Sequence, residues 1–260
     1  MEIERRTIRK ERANAPASFF EAEAAGLEWL AEAMPERGAG VAQVVDFGPG
    51  FIETLRVDES RPGARAARDF GAALARTHDA GAAGFGAPPD GWGGPCFIGR
   101  QGLAVSTAVR SWGAFYAADR VLPYLEKAVA RGHVRPDAAA LVRAACDRIA
   151  GGDFDDDDAP ARLHGDLWNG NVLWSPAGVV LIDPAAHGGH RETDLAMLDL
   201  FGCPYLDDIL TGYDEEHPLR DGWRQRIPLH QLHPLAVHAA SHGSGYEAPL
   251  VEAARSVLTL

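Results

Sequence analysis

Apolar residues recur at helical spacing through residues 17–34, "ASFFEAEAAGLEWLAEAM", where Phe20, Ala24, Leu27, Leu30 and Ala31 share one face. Ser18 is placed to cap this helix, with Glu21 three positions on to close a capping box. The pattern then changes period. "VAQVVDFG" (41–48) and "FIETLRVDE" (51–59) predict two short strands about a Gly-Pro-Gly turn. The N-terminal region reads as strand, helix, strand, strand.

Beyond residue 60 the helical period dominates. Residues 63–80 are Ala- and Arg-rich and helical, whereas 81–107 are rich in Gly and Pro and read as an ordered loop. Residues 110–131 carry a long helical pattern in which Pro123 marks a kink or junction. Further helices are predicted over 136–150, 191–201, 222–242 and 247–258. "GGDFDDDDAP" (151–160) reads as a solvated acidic connection. The expected class is α+β: a small mixed lobe over 1–59, then a larger, mainly helical lobe over 60–260.

One stretch of the larger lobe has the period of strands. "NVLW" (171–174) and "VVLID" (179–183) flank "SPAG", a hairpin pattern. An antiparallel register sets the start of the first strand against the end of the second, which brings Asn171 and Asp183 together. Hard oxygen donors of this kind suit Mg²⁺, which takes further ligands from a substrate's phosphates. Asp166, in the "HGD" just upstream, enters near the same end. A carboxylate there can accept a hydroxyl proton during phosphoryl transfer, while His164 braces the loop. The order H-G-D-x-x-x-x-N, hairpin, I-D matches the kinase-type template element by element.

Composition narrows the classes. The chain has 260 residues and a formal net charge of -12, which excludes broad attraction to nucleic acid or an anionic membrane. No apolar run approaches the ~20 residues of a membrane span. Three widely spaced Cys with no CxxC pair fit a reducing, cytoplasmic setting. "MEIERRTIRKER" lacks the apolar region of a secretory signal. His238 and His242 lie at i, i+4 with His230 and His233 nearby, a spacing that can hold zinc, but no HExxH glutamate accompanies them.

"LHGDLWNGNVLW…VVLIDPAAHGGHRETDLAMLDLFG" (163–202) resembles the protein-kinase-like superfamily, within it the aminoglycoside phosphotransferase group, and most closely the fructosamine kinase family. The Leu-Trp after Asp166, the Gly-His-Arg-Glu-x-Asp-Leu-Ala-Met block (189–197) and residues 217–246 carry the closer likeness. The resemblance implies a two-lobed protein-kinase-like fold and an ATP- and Mg²⁺-dependent kinase. Its acceptor would be a sugar hydroxyl of a ketosamine, either a small molecule or a glycated protein lysine. The implied product is a 3-phosphate, whose lability reverses glycation. Asp166 would be the base, and Asn171 and Asp183 the metal ligands. Lys10, in "TIRK", would meet the ATP phosphates and pair with Glu23. Trp168 would offer a flat platform to the sugar, and Glu192 would touch the acceptor. Asp194 would support the loop, and "FGAPPDGWGG" (85–94) would form an acceptor wall.

The family pattern also has two strands and a Gly-rich turn ahead of the lysine. Only nine residues precede Lys10, so the small lobe reads as N-terminally truncated. Two alternatives accompany the first reading. One is a kinase for an aminoglycoside or another amino-alcohol; the other is a nucleotide-binding-deficient pseudokinase.

Overall fold

The computed structural model describes residues 6–260, so the first five residues of the expected N-terminal lobe lie outside the described residues. Strand β1 (Thr7–Glu11) is followed by helix α1 (Phe19–Ala31), then β2 (Gly40–Val41), β3 (Val44–Gly48) and β4 (Phe51–Leu55). The sheet order is β1-β4-β3, all antiparallel, and Lys10 stands opposite Ile52. Phe20, Ala24, Leu27 and Leu30 are buried against Val41, Ile52 and Ala186, as the helical spacing requires.

Two local expectations change. Ser18 does not cap α1; it adopts a left-handed conformation with no side-chain bond to the helix. Residues 41–48 do not form one strand. β2 leaves the small sheet and pairs in parallel with β9 (Gly178–Leu181), the second strand of the expected hairpin, whose first strand is β8 (Val172–Ser175). The two parts of the chain are thereby joined by backbone hydrogen bonds.

Helix α2 (Ala64–Asp79) leads to a tight hairpin, β5 (Cys96–Ile98) and β6 (Gln101–Leu103), inside the segment expected to be loop. The long pattern at 110–131 resolves into α3 (Trp112–Phe115), a π-helical turn over Tyr116–Val121, and α4 (Leu122–Ala130). Pro123 sits at the start of α4, just after the wide turn, where its missing N–H costs least. Then come α5 (Pro136–Ala150), β7 (Ala161–Leu163), the β8–β9 hairpin, β10 (His187–Gly189), α6 (Glu192–Leu200), α7 (Leu206–Glu216), α8 (Trp223–His242) and α9 (Glu247–Thr259).

Helices α4, α5, α8 and α9 enclose one core, and α2, α7 and the β8–β9 hairpin enclose another. Helices α2 and α7 approach so closely that a Cβ on Gly71 would lie 1.9 Å from the Ile209 carbonyl oxygen, and one on Gly212 2.0 Å from that of Arg68. Helix α8 contains Pro228 and Pro234. Pro234 cannot donate to the His230 carbonyl, so the Tyr116 hydroxyl donates to it instead, at 2.7 Å. Among the described residues no helix is long and apolar enough to cross a membrane.

Candidate active site

The loop between β7 and β8 is held from beneath. Asp194, 1% exposed at the start of α6, accepts the His164 N–H at 2.8 Å and the Gly165 N–H at 3.0 Å. His78 Nε2 lies 3.2 Å from the same carboxylate. Gly165 has φ +80°, and a Cβ there would lie 2.2 Å from the Ala185 carbonyl oxygen, so no other residue fits this turn. His164 is fully buried; its Nε2–H donates to the Ile182 carbonyl at 2.8 Å, and its Nδ1 accepts the Asp166 N–H at 3.2 Å. It is a brace, as expected, and burial lowers its pKa and keeps it neutral.

The hairpin register sets Val172 against Leu181, so Asn171 and Asp183 flank its open end. Asn171 closes a short 3₁₀ turn (Asn169–Asn171) and donates from Nδ2 to the carbonyls of Asp166 at 2.8 Å and Asp183 at 3.4 Å. Its Oδ1 is thereby left as an acceptor. Asp183 has φ 53°, a left-handed conformation rare outside glycine. Its carboxylate Oδ2 lies 3.0 Å from Lys10 Nζ. Lys10 also donates to both oxygens of Glu23, at 3.0 and 3.2 Å. β1, α1 and the β8–β9 hairpin thus meet at one ammonium.

A cavity of about 510 Å³ contains Lys10, Glu23, Asp166, Trp168, Asn171 and Asp183 in its lining. Burial, reinforced by the charges of Asp183 and Asp194, raises the Asp166 carboxyl to about 7. Burial pushes Glu23 up as well. For Lys10, burial is outweighed by Glu23 and Asp183, which hold its pKa above the ordinary value and keep the ammonium charged. Three carboxylates and one amide oxygen converge with a single lysine, a donor set with room for further positive charge. Trp168 is 41% exposed and meets Phe201 edge to face at 6.4 Å.

Six of the seven expected site residues share this cavity; Glu192 does not. It is 3% exposed and faces the interior, where Arg226 grips both its oxygens at 2.5 and 2.9 Å and His230 lies at 3.3 Å. Burial opposes its ionisation, yet the bonds from His230 and Arg226 hold it far below the usual carboxylate range. The expectation that it touches the acceptor is therefore corrected: its charge is spent inside the protein. The 85–94 loop does not line the cavity either. The β5–β6 hairpin that follows it does, through Phe97 and Arg100, together with Arg12 and Phe19. No sequence signal singled out these four.

The zinc spacing is not realised. His233 Nδ1 bonds the Arg120 carbonyl at 2.7 Å, and His238 Nδ1 bonds the Pro234 carbonyl at 2.7 Å. Among the described residues, His230 meets a possible ligand cluster with His190 and the Arg226-bound Glu192, not with His233, His238 or His242.

A lysine on a strand of the small sheet paired with a helix glutamate, with Asp, Asn and Asp around a loop and hairpin, is the arrangement of a kinase of protein-kinase-like fold. The solved structure of aminoglycoside phosphotransferase APH(4)-Ia with ADP and hygromycin B shares that fold, with a TM-score of 0.58 at 13% identity over 91% of this chain and 81% of that one. The chain belongs to the fructosamine kinase family, whose model it matches over residues 3–259. It is 30% identical to a probable ketoamine kinase of Enterococcus faecium over 90% of this chain and 80% of that one. A solved structure from Thermobifida fusca, named for fructosamine-3-kinase, superposes with a TM-score of 0.90 at 45% identity, over 98% of this chain and 86% of that one.

Proposed function

We propose that this ATP-dependent kinase phosphorylates the 3-hydroxyl of ketosamines, both small molecules and glycated lysine side chains. Such a 3-phosphate is a labile adduct, so the reaction serves deglycation. The observation that carries the reading is the Lys10 ammonium held between Glu23 and Asp183, in one cavity with Asp166 and Asn171. Nucleotide would lie between the lobe of residues 1–59 and that of 60–260. Lys10 would meet its phosphates. Asn171 Oδ1 and Asp183 are the residues to hold Mg²⁺, which when bound offsets charge on the transferring phosphate. Asp166 takes the proton of the acceptor hydroxyl as that oxygen bonds to the γ-phosphorus and the bond to ADP breaks. Trp168 lies beside the base with an exposed ring face, a platform for the C–H face of the sugar. The free thiols of Cys96, Cys146 and Cys203 fit a cytoplasmic setting.

The test is incubation with ATP, Mg²⁺ and a ketosamine, read by mass spectrometry and phosphorus NMR. The expected product carries one phosphate on O3. Absence of any phosphorylated ketosamine across amine and sugar variants would overturn the reading.

The pH profile carries a second expectation. With the Asp166 carboxyl raised to about 7, kcat/KM falls as pH drops through neutrality rather than near 4, because the protonated acid cannot accept the hydroxyl proton. Since the Asp183 charge contributes to that shift, raising Mg²⁺ should move the limb to lower pH. A limb that stays fixed across a Mg²⁺ titration would separate the metal from Asp183.

A further inference from the structure

The lining of the cavity carries positive charge beyond that of Lys10. Arg12 follows β1 and is anchored through its backbone, its N–H donating to the Gly50 carbonyl at 2.9 Å. Its guanidinium lies 4.9 Å over the Phe19 ring, and Phe19 packs on Phe97 at 5.3 Å. Phe97 belongs to β5, and the two-residue turn that closes the β5–β6 hairpin is Gly99–Arg100. Gly99 has φ +55° and Arg100 does not share it, the arrangement of a turn with Gly at its first central position. The hairpin is rigidly based, with Cys96, Ile98 and Leu103 in the core and Gln101 bonded to Lys127 and Ser241. Arg12 and Arg100 both line the cavity that holds Asp166.

Neither guanidinium has a carboxylate within ion-pair distance among the described residues. The contrast with Arg9, on the same strand, is direct: it pairs with Glu11 and Glu53. Among the described residues, both arginines line the same cavity without such a pair. Of the acidic groups lining the cleft, Glu23 and Asp183 share Lys10, and Glu11, next to Arg12 in the chain, is paired with Arg9 at 2.6 Å. Arg12, Phe19, Phe97 and Arg100 thus add an aromatic and cationic part to the lining that holds the base and the metal candidates.

We propose that Arg12 and Arg100 form a carboxylate subsite, selecting ketosamines whose amine comes from a free amino acid. The inference rests on the kinase reading above. With the sugar hydroxyl at Asp166 and its ring toward Trp168, the amine and its substituent would reach the part of the same cavity lined by Arg12 and Arg100. An α-carboxylate is then presented to two guanidiniums, which bind it by charge-assisted, forked hydrogen bonds. Phe19 fixes the Arg12 guanidinium beforehand, so little side-chain freedom is lost on binding.

The test compares the fructose adduct of glycine with that of glycinamide, which differ only in the carboxylate. The parent should prefer the acid by roughly ten-fold or more in kcat/KM. The R12Q/R100Q double variant should bring the acid-to-amide ratio close to one, and R100K should retain part of it. Arg100 is exposed on a turn, so its replacement leaves the core intact. A parent ratio near one, with both adducts phosphorylated, overturns the subsite and leaves the kinase reading standing. Phosphorylation of neither adduct removes both. A double variant that keeps the ratio but has a raised KM for ATP assigns the arginines to nucleotide and overturns the proposal. A stronger gain from a phosphate on the sugar of the glycinamide adduct than from the carboxylate overturns it as well.

Discussion

Asp166→Asn should lower turnover of a ketosamine by about 10³-fold, within the range for removing a positioned general base. The amide keeps the size and shape of the carboxylate but cannot take a proton from the acceptor hydroxyl. The variant should also be no less stable than the parent, which separates lost chemistry from lost folding. The reason lies in the raised pKa of Asp166, about 7 through burial and the charges of Asp183 and Asp194. Between about 4, where the unfolded chain titrates, and 7, the native parent binds the proton that the unfolded chain has released. Its stability therefore declines as pH rises across that window, and an uncharged Asn escapes the decline. Urea unfolding at pH 5 and pH 8 should show the variant gaining on the parent at the higher pH. Turnover within a few-fold of the parent would remove Asp166 from the base role.

The contrast between what could be read from the chain and what could not follows interaction range. The β8–β9 hairpin was legible because its strands alternate, its linker carries Pro and Gly, and register alone carries Asn171 to Asp183. The helical face of α1 was legible for the same local reason. Lys10 and Glu23 were legible only through family resemblance, since no local pattern joins residues 13 apart across a strand and a helix. Helix α7 escaped notice. Its order comes from Gly212 pressing on α2, a contact made with a segment far away in the chain. The β5–β6 hairpin escaped too, because three-residue strands in a Gly- and Pro-rich segment leave no period to detect. Glu192 was misplaced for a related reason. An acid beside a site motif looks available until Arg226, 34 residues on, is seen to neutralise it.

The larger structural loss is expected at Asp194, outside the cavity. Its carboxylate is the only described partner on which the His164 and Gly165 N–H groups both converge, and it also meets His78. Asp194→Asn preserves volume but offers one oxygen where two amides pointed at two, and sets an NH₂ against a donor. A buried donor left unpaired costs about 1–3 kcal/mol, and the lost charge-assisted bonds add to this, for a total of about 2–4 kcal/mol. Unfolding should show a lower midpoint in urea at unchanged slope. The pH dependence has a definite sign. Burial opposes ionisation of Asp194, but the bond from His78, the proximity of the His78 and His164 rings and the Gly165 amide outweigh it and hold its pKa below the usual value. Its stabilisation is therefore present above about 4 and is lost as pH falls through the lower, native value, so the gap between parent and variant should narrow in acid. Because these two amides hold the turn that presents Asp166, kcat should fall with stability, and hydrogen exchange at His164 and Gly165 should quicken more than in helix α5. Equal midpoints at pH 7 would mean that the loop is held by its other contacts, the Gly165 turn against Ala185 and the His164–Ile182 bond, and that Asp194 is dispensable to the site.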